Sequence, residues 1–368
     1  MKKICHLSSV HARYDTRIFV KMCSSLADNG FDVTLVIADG KGDEVKNGVK
    51  ISDVGPKKSR LKRMITTVNQ VYRRALEVDA DVYHFHDPEL LRIATKLKRK
   101  GKKVIYDVHE DVPRQILSKN YLNKNVRLIL SKLIEKYENK VASQLDVIVT
   151  ATPYIAKRYL KINKSTIDVN NFPITEELFI EMNYLDKRED TICYIGAITS
   201  VRGLTEVISS LPYTEARLNL AGTFNDEGLQ SSLKELKGWE RVNYLGFASR
   251  DQIREIFKTS KIGIVTLHPT INYLDSLPVK MFEYMAAGLP IIASNFPYWE
   301  SIVLKYNVGL CVDPMDPQQI AKAVNWLIDN PKEAKAMGEN GKQTVEKLFN
   351  WDREKRKLID TYNKVLNN

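Results

Sequence analysis

Short apolar runs alternate with amphipathic helical stretches along almost the whole chain, and the alternation breaks once, near the middle. Strand-length runs separated by helices read as β-α-β units. These require a parallel sheet with both faces covered. In the first half, strands are expected at Lys3–Leu7, Asp32–Ala38, Val82–Phe85, Lys103–Asp107, Val147–Thr150 and Ile167–Val169. A helix is expected over Arg17–Asn29, closed by Gly30 just past its end. Asn47-Gly48 reads as a hairpin turn inside a small excursion. The stretch Asn170–Glu177 carries a proline, breaks the rhythm and reads as a linker. A second series follows, with strands at Ile192–Ile195, Leu218–Ala221, Val242–Leu245, Ile262–Val265, Pro290–Ala293 and Gly309–Val312. Three helical stretches end the chain: Pro317–Asp329, Lys332–Phe349 and Asp352–Leu366.

The 368 residues fit two α/β domains better than one core. The expected division is 1–172, 173–350 and a closing helix over 351–368. Two doubly wound domains in tandem are expected to enclose a cleft, and ligands of such sheets bind outside the carboxyl ends of the strands. No apolar run approaches the ~20 residues that span a bilayer. No signal-peptide pattern follows the first residues, so a cytoplasmic location is expected. Cys5, Cys23, Cys193 and Cys311 lie far apart without a CxxC pair and read as reduced core or near-core residues.

Charge is unevenly spread. Residues 1–172 carry a net +14 and the remainder −3. A basic half can meet nucleic acid, an anionic membrane or a phosphorylated substrate. The aromatic residues near the basic stretches form no stacking array, so nucleic acid is not expected as a partner. Lys57–Leu76 is the best membrane candidate. Leu61, Met64, Ile65, Val68, Val71, Tyr72 and Leu76 fall on one helical stripe, surrounded by basic residues, with no acid between Val54 and Leu76. The alternative is a core-facing stripe with a solvated basic face. A second basic run, Asn120–Lys140, extends the candidate surface.

The most informative segment is Asn272–Ser294, NYLDSLPVKMFEYMAAGLPIIAS. Pro278 suits a first helical turn, and Met281, Phe282, Met285 and Ala286 form an apolar face. A helix N-terminus at Pro278 is a prepared diphosphate site, and Lys280 adds a full charge to it. Glu283, one turn on, can accept bonds from two ribose hydroxyls. Asp275, before the helix, can hold sugar hydroxyls. A second element, Cys193–Leu204 (CYIGAITSVRGL), ends a strand at Gly196 and opens a helix at Arg202-Gly203, where a guanidinium fork suits phosphate.

These strings resemble the retaining glycosyltransferases of family 4. The family signature, an acid, seven residues, Glu, then Ala-x-Gly-x-Pro, reads here as Asp275, Glu283 and Ala287-Gly288-Leu289-Pro290. Asp275 stands where the family usually has Glu, and Ala197 where it often has a basic residue. The resemblance implies a GT-B fold: two Rossmann-like doubly wound parallel-sheet domains facing each other across a cleft, with the C-terminal helix crossing back to the first. It implies that Glu283 binds the ribose, Asp275 the sugar, Arg202 and Lys280 the diphosphate, and Gly246 and Phe247 the base. Gly196, Ser276, Leu277 and Pro278 complete the donor-binding set. His109, just after a strand, matches the histidine placed beside the donor sugar. The first loop, with His11, Arg13, Asp15 and Arg17, resembles a subgroup of surface-polysaccharide enzymes and is assigned to the acceptor side. An ion pair of Asp15 with Arg13 or Arg17 is the structural alternative there.

The implied reaction is transfer of a sugar from a nucleoside-diphosphate sugar, with UDP as the expected nucleotide, to a glycan or polyprenyl-diphosphate-linked acceptor. The anomeric configuration is retained by front-side displacement. A nucleotide-sugar epimerase or hydrolase on the same fold is the alternative. No cofactor and no essential metal are implied. His84 and His86 share a strand face beside Asp87, but no third metal ligand follows at a convincing spacing. Asp87-Pro88 reads instead as a helix N-cap and first turn.

Overall fold

The computed structural model describes residues 1–119, 121–178, 180 and 188–367. They form two compact units: Met1–Asn171 together with the stretch from Asp352 onward, and Phe172–Trp351.

The first unit is built on eight strands: β1 (Lys3–Leu7), β2 (Asp32–Ile37), β3 (Glu44–Lys46), β4 (Val49–Asp53), β5 (Val82–Phe85), β6 (Lys103–Val108), β7 (Val147–Thr150) and β8 (Thr166–Asp168). Their spatial order is β3-β4-β2-β1-β5-β6-β7-β8. Every pair is parallel except β3 with β4. That hairpin is made by Asn47 and Gly48, at φ 48° and 71°, the positive angles a tight primed turn requires. The excursion foreseen there thus adds two strands to the sheet edge. Side chains alternate across the sheet. Cys5, Leu7, Tyr83, Phe85, Val104, Tyr106 and Val108 bury one face under helical residues such as Val68, Val71, Ala75 and Leu97. The opposite face carries polar residues at its carboxyl end, described below.

The stripe over Lys57–Leu76 is divided. Val68 and Val71 are fully buried in the core, whereas Leu61, Met64 and Ile65 are exposed. It is therefore not a single membrane-facing surface: its C-terminal half packs on the sheet. The second basic run forms the helix Lys124–Ala142, with Val126, Ile129, Leu133 and Tyr137 exposed; Asn120 lies outside the described residues.

The second unit carries six parallel strands, β9 (Glu189–Ile195), β10 (Arg217–Ala221), β11 (Val242–Gly246), β12 (Ser260–Val265), β13 (Ile291–Ser294) and β14 (Gly309–Val312), in the order β11-β10-β9-β12-β13-β14. Both sheets reverse their winding direction once, at β1/β5 and at β9/β12. The chain leaves in opposite directions there, and the carboxyl ends open a crevice for a ligand. Pro317–Asp329, Pro331–Lys347 and Trp351–Asn367 are helical. Beyond Trp351 the last helix belongs to the first unit, where its Tyr362 is fully buried.

Candidate active site

In the second unit Gly196, Arg202 and Lys280 of the expected donor residues meet at the β9/β12 reversal. Gly203 sits at φ +73°, and a Cβ there would lie 1.8 Å from the Thr266 carbonyl oxygen at the end of β12. Only glycine allows the loop carrying Arg202 to close onto that strand. Gly196, at φ +117°, ends β9; a Cβ on it would sit 3.3 Å from the Lys280 Nζ. The helix Val279–Ala286 begins here, with Pro278 as its N-cap rather than its first helical residue, and no side chain caps it. It ends as expected. Gly288 N–H donates to the Met285 carbonyl and Leu289 N–H to the Tyr284 carbonyl, the pair of hydrogen bonds that terminates a helix at a left-handed glycine.

Lys280 is the buried basic group of this site. Its Nζ lies 3.6 Å from the Tyr194 ring centroid and is buried without a hydrogen-bond partner among the described residues. Burial, with the nearby Arg202 guanidinium, holds its ammonium well below the usual lysine range. Arg202 lies 5.3 Å over the Tyr273 ring, and its Nε is likewise buried and unpartnered. Two basic side chains and an uncapped helix N-terminus converge in one place, and burial beside Arg202 opposes the Lys280 charge until an anion arrives.

Glu283 is buried, and its Oε1 accepts from Arg250 at 2.7 Å; Arg250 also pairs with Glu177 at 3.0 Å. Arg250 was not foreseen, because nothing local in sequence links it to a residue 33 positions on. Asp275 is half-buried, and partial burial raises its carboxyl above the usual range. Ser276 is locked locally: its hydroxyl donates to the Tyr273 carbonyl and its own carbonyl accepts from Trp299 Nε1 at 2.7 Å. Leu277 packs against the core. The Gly246 carbonyl is already taken by the Gly222 N–H at 2.7 Å, and Phe247 is 80% exposed.

In the first unit the charged loop is paired, and not as foreseen. Arg13 does not pair with Asp15: it forks onto Asp39 (2.9 and 2.8 Å) and bonds Glu44 at 2.9 Å and the Gly42 carbonyl at 2.7 Å. Arg17 forks onto the fully buried Asp107 (3.0 and 2.7 Å) and bonds the Val169 carbonyl at 2.7 Å. Both guanidiniums are structural, because a buried cation needs such partners. Asp15 pairs with neither arginine. It accepts from the Arg17 and Ile18 N–H groups at the start of the first helix and lies 3.4 Å from His11 Nδ1. Asp87 is the residue before a helical turn, but its carboxylate serves Ser8, Ser9 and His11 instead of capping that turn. Burial pushes the His11 imidazole down, but the carboxylates of Asp15 and Asp87 outweigh it and lift it to about 10. His109 follows β6; its ring is 4.9 Å from that of His11, and its Nε2 lies 2.6 Å from Asp107 Oδ2.

The third imidazole that the sequence did not place beside His84 and His86 is His6, opposite His84 in the β1/β5 register. His6, His84 and His86, or His86, Asp107 and His109, are groups able to hold a cation. Most of their nitrogens are already engaged, with 2.9 Å between His6 Nδ1 and His86 Nε2 and 3.0 Å between His86 Nδ1 and Asp107. A metal ion there would displace bonds the fold already makes.

The fold, a pair of doubly wound units with an anion-ready reversal point, is that of the GT-B enzymes. Residues 176–344 match the family described as Glycosyl transferases group 1, and residues 16–169 match Glycosyltransferase Family 4. The chain belongs to this group 1, family 4 lineage of transferases. Its relatives include an uncharacterized glycosyltransferase of Methanocaldococcus jannaschii, 23% identical over 47% of this chain and 45% of that one. Another is the D-rhamnosyltransferase WbpZ of Pseudomonas aeruginosa, 21% identical over 75% of this chain and 71% of that one. The chain thus spans about half the length of the first relative. Sucrose-phosphate synthase from Thermosynechococcus elongatus superposes with a TM-score of 0.79 at 16% identity over 99% of both chains. Anabaena HepE, solved in complex with UDP-glucose, gives 0.76 at 13% identity over 99% of this chain and 100% of that one. Among the described residues no helix is long and apolar enough to cross a membrane.

Proposed function

We propose that the protein transfers a sugar from a nucleoside-diphosphate sugar, with UDP as the nucleotide, to a hydroxyl of a glycan or lipid-linked oligosaccharide in cell-surface polysaccharide synthesis. The observation that carries this reading is the unpartnered, buried Lys280 amine nitrogen at an uncapped helix N-terminus beside Arg202. The reading is supported by the HepE complex with UDP-glucose, a protein of the same fold. Anomeric configuration is retained, the departing diphosphate accepting the acceptor's proton. Lys280, Arg202 and the helix dipole stabilise the charge growing on that group, so the step calls on no metal. Glu283 takes the ribose hydroxyls, Asp275 and His109 the donor sugar, and the loop with His11 and Asp15 lies on the acceptor side.

The acceptor reading extends to the membrane. Leu61, Met64 and Ile65 on one helix and Ile129 and Leu133 on another are exposed apolar residues within a half of net charge +14, which suits an anionic lipid surface. The deciding assay is release of UDP from a panel of UDP-sugars with and without a polyprenyl-diphosphate-linked acceptor. Lys280→Ala and Glu283→Ala should each lower turnover by at least ~100-fold with the fold intact. Unchanged turnover in both, or UDP release indifferent to acceptor, would remove the reading.

A further inference from the structure

Five of the six histidines lie in the first unit, and four of them join one buried chain of hydrogen bonds. His84 Nδ1 lies 2.7 Å from the Tyr362 hydroxyl, which lies 3.1 Å from His6 Nε2. His6 Nδ1 is 2.9 Å from His86 Nε2, and His86 Nδ1 is 3.0 Å from Asp107 Oδ2. The same oxygen meets His109 Nε2 and Arg17 Nε, while Oδ1 meets the other arm of Arg17.

The proton positions follow from counting. Burial pushes the imidazoles of His6, His84 and His86 below their ordinary range, so each is neutral, with one donor and one acceptor nitrogen. Burial raises the Asp107 carboxyl, but Arg17 and the imidazole N–H groups outweigh it and hold it ionised. An ionised carboxylate only accepts, with about four sites, and four donors meet it here. His86 Nδ1 and His109 Nε2 must both carry protons. They converge on one oxygen, which is why these nitrogens stand 3.4 Å apart. His86 Nε2 is then an acceptor, so His6 donates from Nδ1 and accepts at Nε2 from the Tyr362 O–H. Tyr362 in turn accepts from His84 Nδ1–H. The chain ends at His84 Nε2, a buried nitrogen without a partner, which this order leaves as a bare lone pair. At the other end, His109 Nδ1 has no partner among the described residues and is not sequestered.

We infer that Asp107, held by Arg17 and His86, is a positioning residue that fixes His109 as its Nε2–H tautomer and so presents Nδ1 as a hydrogen-bond acceptor for a substrate hydroxyl. The inference rests on the reading of His109 as an active-site residue. The buried relay from Tyr362 of the last helix to His86 orders the protons behind it.

The test is a long-range proton–nitrogen correlation spectrum of the full chain labelled with ¹⁵N-histidine, near neutral pH and without ligand. His109 should be protonated at Nε2, and His6, His84 and His86 at Nδ1. An Nδ1-protonated neutral His109, or an Nε2-protonated His6 or His86, overturns the inference. Asp107→Asn should let both His109 tautomers appear and lower kcat about 100-fold, with the donor KM within about threefold, measured with the UDP-sugar the chain turns over. A folded Asp107→Asn protein with unchanged kcat also overturns it. Should that variant fail to fold, the wild-type spectrum still decides. His109→Gln separates the two failures: retained turnover there discards His109 as an active-site residue, whatever its tautomer.

Discussion

Mild acid should weaken the first unit and spare the second. His6 and His84 are fully buried, and burial holds both imidazoles well below their ordinary range. In the unfolded chain each regains a pKa near ~6.5 and takes up a proton that the folded state refuses. Their contribution to stability is therefore present above that value and lost as pH falls. Between about pH 7 and about pH 5 each such histidine costs about 2 kcal/mol, or about 4 for the pair. His86 adds a smaller amount, because Asp107 opposes the effect of its burial. His11 acts in the other direction: its raised pKa, about 10, means that its contribution is fully present below ~6.5 and is lost as pH rises. Over the same interval it returns about 1 kcal/mol. The net loss of about 3 kcal/mol is a large share of the ~5–15 that holds a domain together. Carboxylate protonation falls mostly below this window.

Urea unfolding at several pH values measures it, and the sequence supplies an internal control. All four tryptophans lie in the second unit, as does one histidine of six. Tryptophan fluorescence then follows that unit, while far-ultraviolet circular dichroism follows both. The dichroism should develop an early transition as the pH drops, with the fluorescence midpoint nearly fixed. Replacing His84 by Gln should remove about 1 kcal/mol per pH unit from the slope over this interval. A first-unit transition that does not move between about pH 7 and about pH 5 would show that the imidazoles protonate in place, refuting the neutral chain of bonds.

Three further outcomes are expected. Tyr362→Phe leaves His84 Nδ1 and His6 Nε2 buried without partners, and should cost about 2–4 kcal/mol in chemical denaturation; a loss under about 0.5 contradicts the geometry. Gly203→Ala drives a Cβ to 1.8 Å from the Thr266 oxygen, so the loop must move. UDP affinity measured by calorimetry should fall at least ~10-fold, close to the lower end of what one lost charged hydrogen bond costs. Because burial depresses Lys280, a bound diphosphate should restore its charge, and UDP binding at mildly alkaline pH should take up protons. Calorimetry in buffers of different ionisation enthalpy reads this directly, and binding enthalpies independent of the buffer would contradict it.

The sequence by itself determined the local matters. Apolar runs of strand length, a proline before an apolar helical face and a glycine after it are settled within a few neighbours, because strand and helix periodicity and left-handed caps are short-range physics. Among the described residues the strands include all twelve expected from apolar runs, and Lys280, Glu283 and Gly203 stand near one strand reversal because one βα turn and one helix start carry them. What the tertiary structure alone decided is which distant polar groups meet. Arg13 finds Asp39, 26 residues on; Arg17 finds Asp107, 90 residues on; His6 finds His86, 80 residues on. Each meeting depends on strand order and on the parity of register, since a shift of one residue would send every side chain to the other face. A weak signal was present: His6, His84 and His86, Asp107 and His109 recur at alternating positions at the carboxyl ends of strands that are otherwise apolar. That pattern marks a polar face, but only the adjacency of β1, β5 and β6 shows that the faces are one.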